Sequence, residues 1–331
     1  MKIQKINKSW ALKLLIMSWI LTIFINTNFC FAADWPMFKY DSERTSYCSD
    51  GGFAPGNLVF ETKWNVQLKP GVSYSSPIIV DNLIYVGSID GKFYVFDKIM
   101  GDLQEQFSTE GSIYSTPSFS QFGGGVYFGS TDGKCYYNNG QSFIQTDGSI
   151  IGSPNPGWGW LWSDAGWYAS FPMVFISSSG TIYTIDPVTG DLISTFNLGT
   201  YICSSPAAEI FWYSPGVPQS YRIAIGGYDG YIYIIGGGNA SNPTLLGKYK
   251  TGGPIRGTPT FLDWNVIVGS CDGFLYSVGG PTFPVPLNVN FAYNANSPII
   301  SSPAVADGTA YVGSKDGVFH AVGLDGSLKW K

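Results

Sequence analysis

The stretch YVGSIDGKFYVFD, Tyr85 to Asp97, reads as two short alternating strands joined by a turn. Asp-Gly between alternating apolar residues is a strong hairpin signal, because glycine takes positive φ without strain and aspartate tolerates it. Near copies follow: YFGSTDGKCYY from Tyr127, GSCDGFLYSV from Gly269 and YVGSKDGVFHAVG from Tyr311. Looser ones begin at Ile176 (ISSSGTIYTID) and Ile225 (IGGYDGYIYIIG). Asp90-Gly91, Asp132-Gly133, Asp229-Gly230, Asp272-Gly273 and Asp316-Gly317 fill the turn, with Ser179-Gly180 in the third copy. A cation loop is the competing reading of these aspartates. One carboxylate per turn, in turns of different units, makes a poor calcium cage.

A second signature sets the period. Ser/Gly-Ser/Thr-Pro recurs with its prolines at Pro77, Pro117, Pro154, Pro206, Pro259 and Pro303, separated by 40, 37, 52, 53 and 44 residues. That spacing is typical of a four-stranded propeller blade of roughly 40 to 50 residues. Each unit contains a strand A through the proline (SSPIIV), a strand B (LIYVGS), the Asp-Gly turn, an aromatic strand C (KFYVFD) and a strand D (DLQEQF). One such sheet cannot bury both faces. Stacking the sheets in a ring does, and strand B and C aromatics fill the spaces between them.

The expected fold is therefore an all-β propeller of four-stranded antiparallel blades. Six blades is the preferred count, with seven or an incomplete ring as alternatives. LVFETKW at residues 58–64 reads as a lone strand D and is expected to join the last blade as a closing strap.

Composition agrees. Among 331 residues, 16% are aromatic and 12% charged, with 42 glycines and 20 prolines, which suits short strands and turns. The N-terminus reads as an export signal over residues 1–32. Lys2, Lys5, Lys8 and Lys13 precede the 12-residue apolar run LLIMSWILTIFI, and Cys30-Phe31-Ala32 offers a cleavage site. An uncleaved anchor is the alternative; Thr27-Asn28-Phe29 before Cys30 lacks the small residue of a lipobox. Residues 33–56 form a leader expected to pack on the propeller, which spans 57–331. Losing the signal removes four of the 18 basic residues and none of the 23 acidic ones, leaving a net charge of −9. Nucleic acid is thus an unfavourable partner, and the mature chain is expected to have no membrane span. Of the cysteines, Cys48, Cys135, Cys203 and Cys271 remain. No CxxC occurs, which disfavours metal and redox motifs, and one or two structural disulfides or four mostly buried thiols both stay open.

These residues together resemble the PQQ-binding-like, or quinoprotein dehydrogenase-like, propeller repeat. Asp186-Pro187-Val188-Thr189-Gly190-Asp191 is similar to that family's C–D turn, and Asp97-Lys98-Ile99-Met100-Gly101 nearly so. Trp64 and Trp330 stand at its strand-D tryptophan, and DWPMFKYDSERTSY from Asp34 to Tyr47 is similar to the leader of exported members. The resemblance implies one of several roles. The group includes BamB-like scaffolds of outer-membrane protein assembly, and dehydrogenases that hold PQQ with Ca2+ on grouped acids, often beside a disulfide of adjacent cysteines. This sequence has neither adjacent cysteines nor an evident acidic cluster.

No catalytic, cofactor-binding or metal-binding residues are assigned. The one histidine, His320, aligns with Tyr94, Tyr136, Tyr183, Tyr233 and Tyr276 and reads as a packing substitute. No Walker A, GxSxG or HExxH pattern occurs. What varies is the A–B connection. The third and fourth units carry about ten extra residues each, in NPGWGWLWSDAGWYASFP from Asn155 and AEIFWYSPGVPQSY from Ala208. Trp158, Trp160, Trp162, Trp167 and Tyr168 crowd the first insert; Phe211, Trp212, Tyr213 and Tyr221 crowd the second. The C–D loops GGGNASNP and GGPTFPVP of units four and five rise at the same end.

An aromatic shelf on blades three to five is therefore expected, suited to a protein or peptide partner. Loops packed on one another over the channel are the other reading. The expected function is a non-catalytic exported scaffold in the periplasm or outside the cell, with a role peripheral to the outer membrane as one version and no cofactor. The alternatives are a PQQ- and Ca2+-dependent dehydrogenase and a carbohydrate- or cell-wall-binding lectin.

Overall fold

A computed structural model describes residues 62–68, 75–120, 124–137, 140–156, 172–211, 220–237, 242–262, 264–279 and 287–331. The export segment 1–32 and the leader 33–56 lie outside them. The described residues form 24 strands in six four-stranded antiparallel sheets and no helix. Blade one, at 78–108, contains Ile78–Val80, Leu83–Gly87, Lys92–Asp97 and Leu103–Ser108 as strands A to D. The others occupy 118–145, 155–197, 207–250, 260–294 and 304–330. Every sheet is paired in the order A-B-C-D.

The Asp-Gly turns close as their chemistry predicts. Gly91, Gly133, Gly180, Gly230, Gly273 and Gly317 all have φ between 78° and 92°, where a side chain would strain the backbone. Strand D carries a register shift against strand C in every blade. Such a bulge increases the twist of the outer edge.

Strand A lies innermost, since the A strands of neighbouring blades touch each other. Here the proline signature shows its purpose. The backbone N–H of Ser76 donates to Thr116 Oγ1, Thr116 to Ser153 Oγ, Ser153 to Ser205 Oγ, Ser205 to Thr258 Oγ1 and Thr258 to Ser302 Oγ, at 2.8–3.2 Å. The middle hydroxyl of the second to sixth signatures thus links each blade to the one before. The residue before it binds within its own blade: Ser75, Ser115, Ser204 and Ser301 Oγ each accept from the glycine N–H that ends strand B. Buried polar groups are costly unless paired, so these hydroxyls make a wet motif tolerable in a dry centre.

Five apolar clusters hold successive blades together. A shared device recurs in four. The connection leaving a blade drives an isoleucine against the strand-B glycine of that blade. A Cβ on Gly87, Gly129, Gly226 or Gly269 would meet the Cγ2 of Ile113, Ile150, Ile255 or Ile299 at 2.1–2.2 Å. Aromatics dominate the first contacts, where Phe93 stacks on Phe128 at 3.9 Å, whereas Ile, Val and Ala fill the later ones.

Of the expected strap at 58–64, residues 58–61 lie outside the described residues. None of residues 62–68 is in a strand, and the last sheet is complete with its own strand D, Leu328–Trp330. Trp64 packs on blade one instead. Its indole N–H donates to the Lys98 carbonyl, its ring lies 6.5 Å from Phe96, and it covers Gly101. This is where strand D of a preceding blade belongs: Phe107 covers Gly140 and Phe291 covers Gly326 in the same manner.

Candidate functional site

The turn aspartates are tied up locally. Oδ1 of Asp90, Asp132, Asp229 and Asp272 accepts the N–H two residues on, at 2.9–3.1 Å. Oδ2 accepts the phenol of Tyr94, Tyr136, Tyr233 and Tyr276, at 2.5–2.8 Å. Burial and the Asp90 carboxylate push the Tyr94 hydroxyl up to about 12. Burial alone would raise Asp90, but hydrogen bonds from Tyr94, Ser88 and the Lys92 N–H outweigh it and hold it below the usual range. These carboxylates serve as hairpin clamps.

Blade three lacks that aspartate, having Ser179, and borrows one. Asp147, on the connection from blade two, accepts from Ser177, Ser179 and Thr181 at 2.6 Å, and Tyr183 also binds it. Burial opposes ionisation, yet these four hydroxyls hold the group to about 2. In blade six the tyrosine is replaced instead. His320 is buried between Tyr293 (Nδ1, 3.0 Å) and Ser314 (Nε2, 2.9 Å), and Ser314 donates to Asp316 at 2.5 Å. Ser314 Oγ thus bridges the Asp316 carboxylate and the imidazole. Burial lowers the histidine pKa, Asp316 raises it and Lys331 lowers it, with a net downward shift.

Of the expected shelf, Trp158, Trp160, Trp162, Trp167, Tyr168, Trp212 and Tyr213 lie outside the described residues. The backbone of Phe211 ends strand A of blade four, paired with Ser220. Tyr221 packs on the cluster joining blades three and four, and burial pushes its hydroxyl up to about 12. In sequence the two inserts fall between strands A and B of blades three and four.

A buried charged pair stands on strands A and B of blade four, which flank the second insert in sequence. Arg222 is 2% exposed, forms an ion pair with buried Glu209, and lies 5.3 Å over Phe261 and 5.1 Å over Trp264 of blade five. A guanidinium desolvated between a carboxylate and two rings is held in one orientation. Sequence reading missed Trp264 and this pair; a charged residue on each of two facing strands at the root of an insert was the available signal.

Other exposed features lie elsewhere. Tyr201 and Tyr228 meet edge-on at 5.8 Å at the opposite, B–C end of blade four. A cavity of about 230 Å3 between blades two and three is lined by Tyr127, Tyr137, Gln141, Phe143, Val188 and Thr189. Cys135, Cys203 and Cys271 are free thiols, Cys135 fully buried. Among the described residues no helix is long and apolar enough to cross a membrane, and no group of three metal-ligating side chains occurs.

No family model matches the sequence, and no curated protein matches it significantly. Solved structures do resemble it. The crystal structure of BamB from Moraxella catarrhalis superposes with a TM-score of 0.57 at 17% identity, covering 81% of this chain and 78% of that one. The computationally designed Ika8 protein gives 0.55 at 17% identity, covering 75% and 70%. At such identity the likeness carries the fold alone, and with the six sheets it makes this chain a β-propeller of four-stranded blades.

Proposed function

We propose that this chain is an exported, non-catalytic propeller of the PQQ-like repeat group that holds a protein or peptide partner on the A–B end of blades three to five. One observation carries the reading. In sequence two adjacent blades carry long aromatic inserts in their A–B connections, and on the strands flanking the second one Glu209 and Arg222 pack with Phe261 and Trp264 of the next blade. Aromatic side chains give large contact area at small entropic cost, and flanking strands held by packing limit what binding must order. The BamB likeness supports a scaffold on this fold, and the resemblance of the repeats supports outer-membrane assembly as its specific version. Export rests on the apolar segment within residues 1–32.

The test is capture from the native envelope by crosslinking and mass spectrometry, comparing wild type with a chain carrying Trp158→Ala, Trp160→Ala and Trp212→Ala. The variant is expected to melt like wild type and to lose the partner. Equal capture by both would remove the shelf from the argument. Retention on a glycan array with no captured protein would make the site a lectin's.

A further inference from the structure

The two ends of the row of blades are left half-dressed. The residue two after each turn glycine faces the following blade in blades one to five. It is Phe93, Cys135, Ile182, Ile232 and Leu275 in blades one to five, each at most 1% exposed. In blade six the same position is Phe319, and it is 52% exposed. Around it stand Tyr311, at 6.3 Å, and Trp330, at 6.0 Å, which is also 52% exposed. The isoleucine socket is open too: a Cβ on Gly313 would meet only Ser301 Oγ, at 3.8 Å.

At the other end, Ile84 and Val86 face backwards from strand B of blade one and are only half-buried. Their counterparts are Val126, Met173, Ile223, Val266 and Ala310, and Phe128, Phe175, Ile225, Val268 and Val312. All of these are at most 1% exposed.

We infer that blade six of one copy receives blade one of a second copy, front face to rear face, in the register of the five internal contacts. Continuity carries the choice of occupant. Five times in this chain a front face of this design is covered by a rear face of this design. Among the described blades the one rear face still half-open is blade one's, and a copy's own blade one leaves Phe319 exposed. In the reference contact Phe93 stacks on Phe128; between copies the same pair is Phe319 and Val86. The fit is heterologous, so it generates closed rings or open chains rather than a two-fold dimer. In sequence, Ser73 stands where the connections into blades two to six carry isoleucine. The Gly313 socket therefore gains no isoleucine, and the contact is weaker than the internal ones.

Sedimentation of the full chain up to about 100 μM tests this. Wild type is expected to associate with rising concentration, and Phe319→Glu or Trp330→Glu to weaken that at least tenfold (about 1.4 kcal/mol). Both sites are exposed, so the fold survives. Phe319→Glu keeps an intact rear face, so in excess it should cap wild-type assemblies and shorten them. A Val86→Glu chain mixed with it should recover a one-to-one dimer that neither forms alone. A wild-type monomer at every concentration overturns the inference, whether the ring closes within one copy or another protein takes the face. Association that excess Phe319→Glu does not shorten overturns the front-to-rear register.

Discussion

The isoleucine-in-glycine device can be weighed against its own missing copy. At Gly269 an added methyl would lie 2.1 Å from Ile299 Cγ2 and 2.9 Å from its Cβ. Overpacking of that kind costs about 1–3 kcal/mol. Ile299→Ala, at a site with no exposure, removes three buried carbons and costs about 2–5 kcal/mol. The two changes touch, so they do not add. The alanine methyl at Gly269 takes up part of the space Ile299 vacates, and the double variant should fall short of the sum by about 0.5–3 kcal/mol.

Gly313→Ala is the control. Its nearest neighbour is 3.8 Å away and neither glycine has left-handed backbone. It should be neutral within about 0.5 kcal/mol, or stabilise by up to about 1 kcal/mol through lost freedom in the unfolded chain. Urea titrations followed by tryptophan fluorescence, at dilutions where the midpoint no longer changes with concentration, give all four values. If Gly313→Ala destabilises as much as Gly269→Ala, the sixth socket is filled in the monomer and the account of the exposed face fails. If the Gly269/Ile299 cycle closes additively, the plug is not what these residues share.

Two more outcomes follow from the polar interior. His320 is held neutral in the folded state, with its pKa below the ordinary 6.5. The unfolded chain therefore takes up a proton that the native one resists, so stability should fall as pH drops below about 6.5, by at most about 1.4 kcal/mol per unit. His320→Tyr, which reinstates the tyrosine of the other blades beside Asp316, should remove that slope in melts between pH 5 and 7; an unchanged slope assigns it elsewhere. Glu209→Ala should cost about 3–5 kcal/mol by breaking a buried pair, whereas replacing Glu209 and Arg222 together with leucine and methionine should cost far less. Equal losses would mean that shape, not charge, matters beside the second insert.

Local chemistry made most of the fold legible. Asp90-Gly91 and its relatives mark hairpins because few residues take their φ, and strand alternation marks the faces. The clamp partners were half visible: the Asp-x-x-x-Tyr spacing from Asp90 to Tyr94 puts carboxylate and phenol on one side of the turn. In blade three the same role crosses between units, from Asp147 to Tyr183, and no local pattern reveals it. The candidate site was legible as composition in Trp158, Trp160, Trp162, Trp167 and Trp212, whereas Arg222 between Glu209 and Trp264 joins residues that only the stacking of blades four and five brings together.

By itself, the sequence determined what a repeat can encode: the strands, the turns and the six-fold recurrence. These depend on backbone geometry and two-residue periodicity, which act over a few residues. Only the tertiary structure decided where Trp64 packs, that the proline signatures join through Ser76, Thr116, Ser153, Ser205, Thr258 and Ser302, and that Phe319 faces water while its five counterparts do not. Burial belongs to a residue's neighbour rather than to the residue. A repeat that spells the same face six times cannot say which copy is left uncovered.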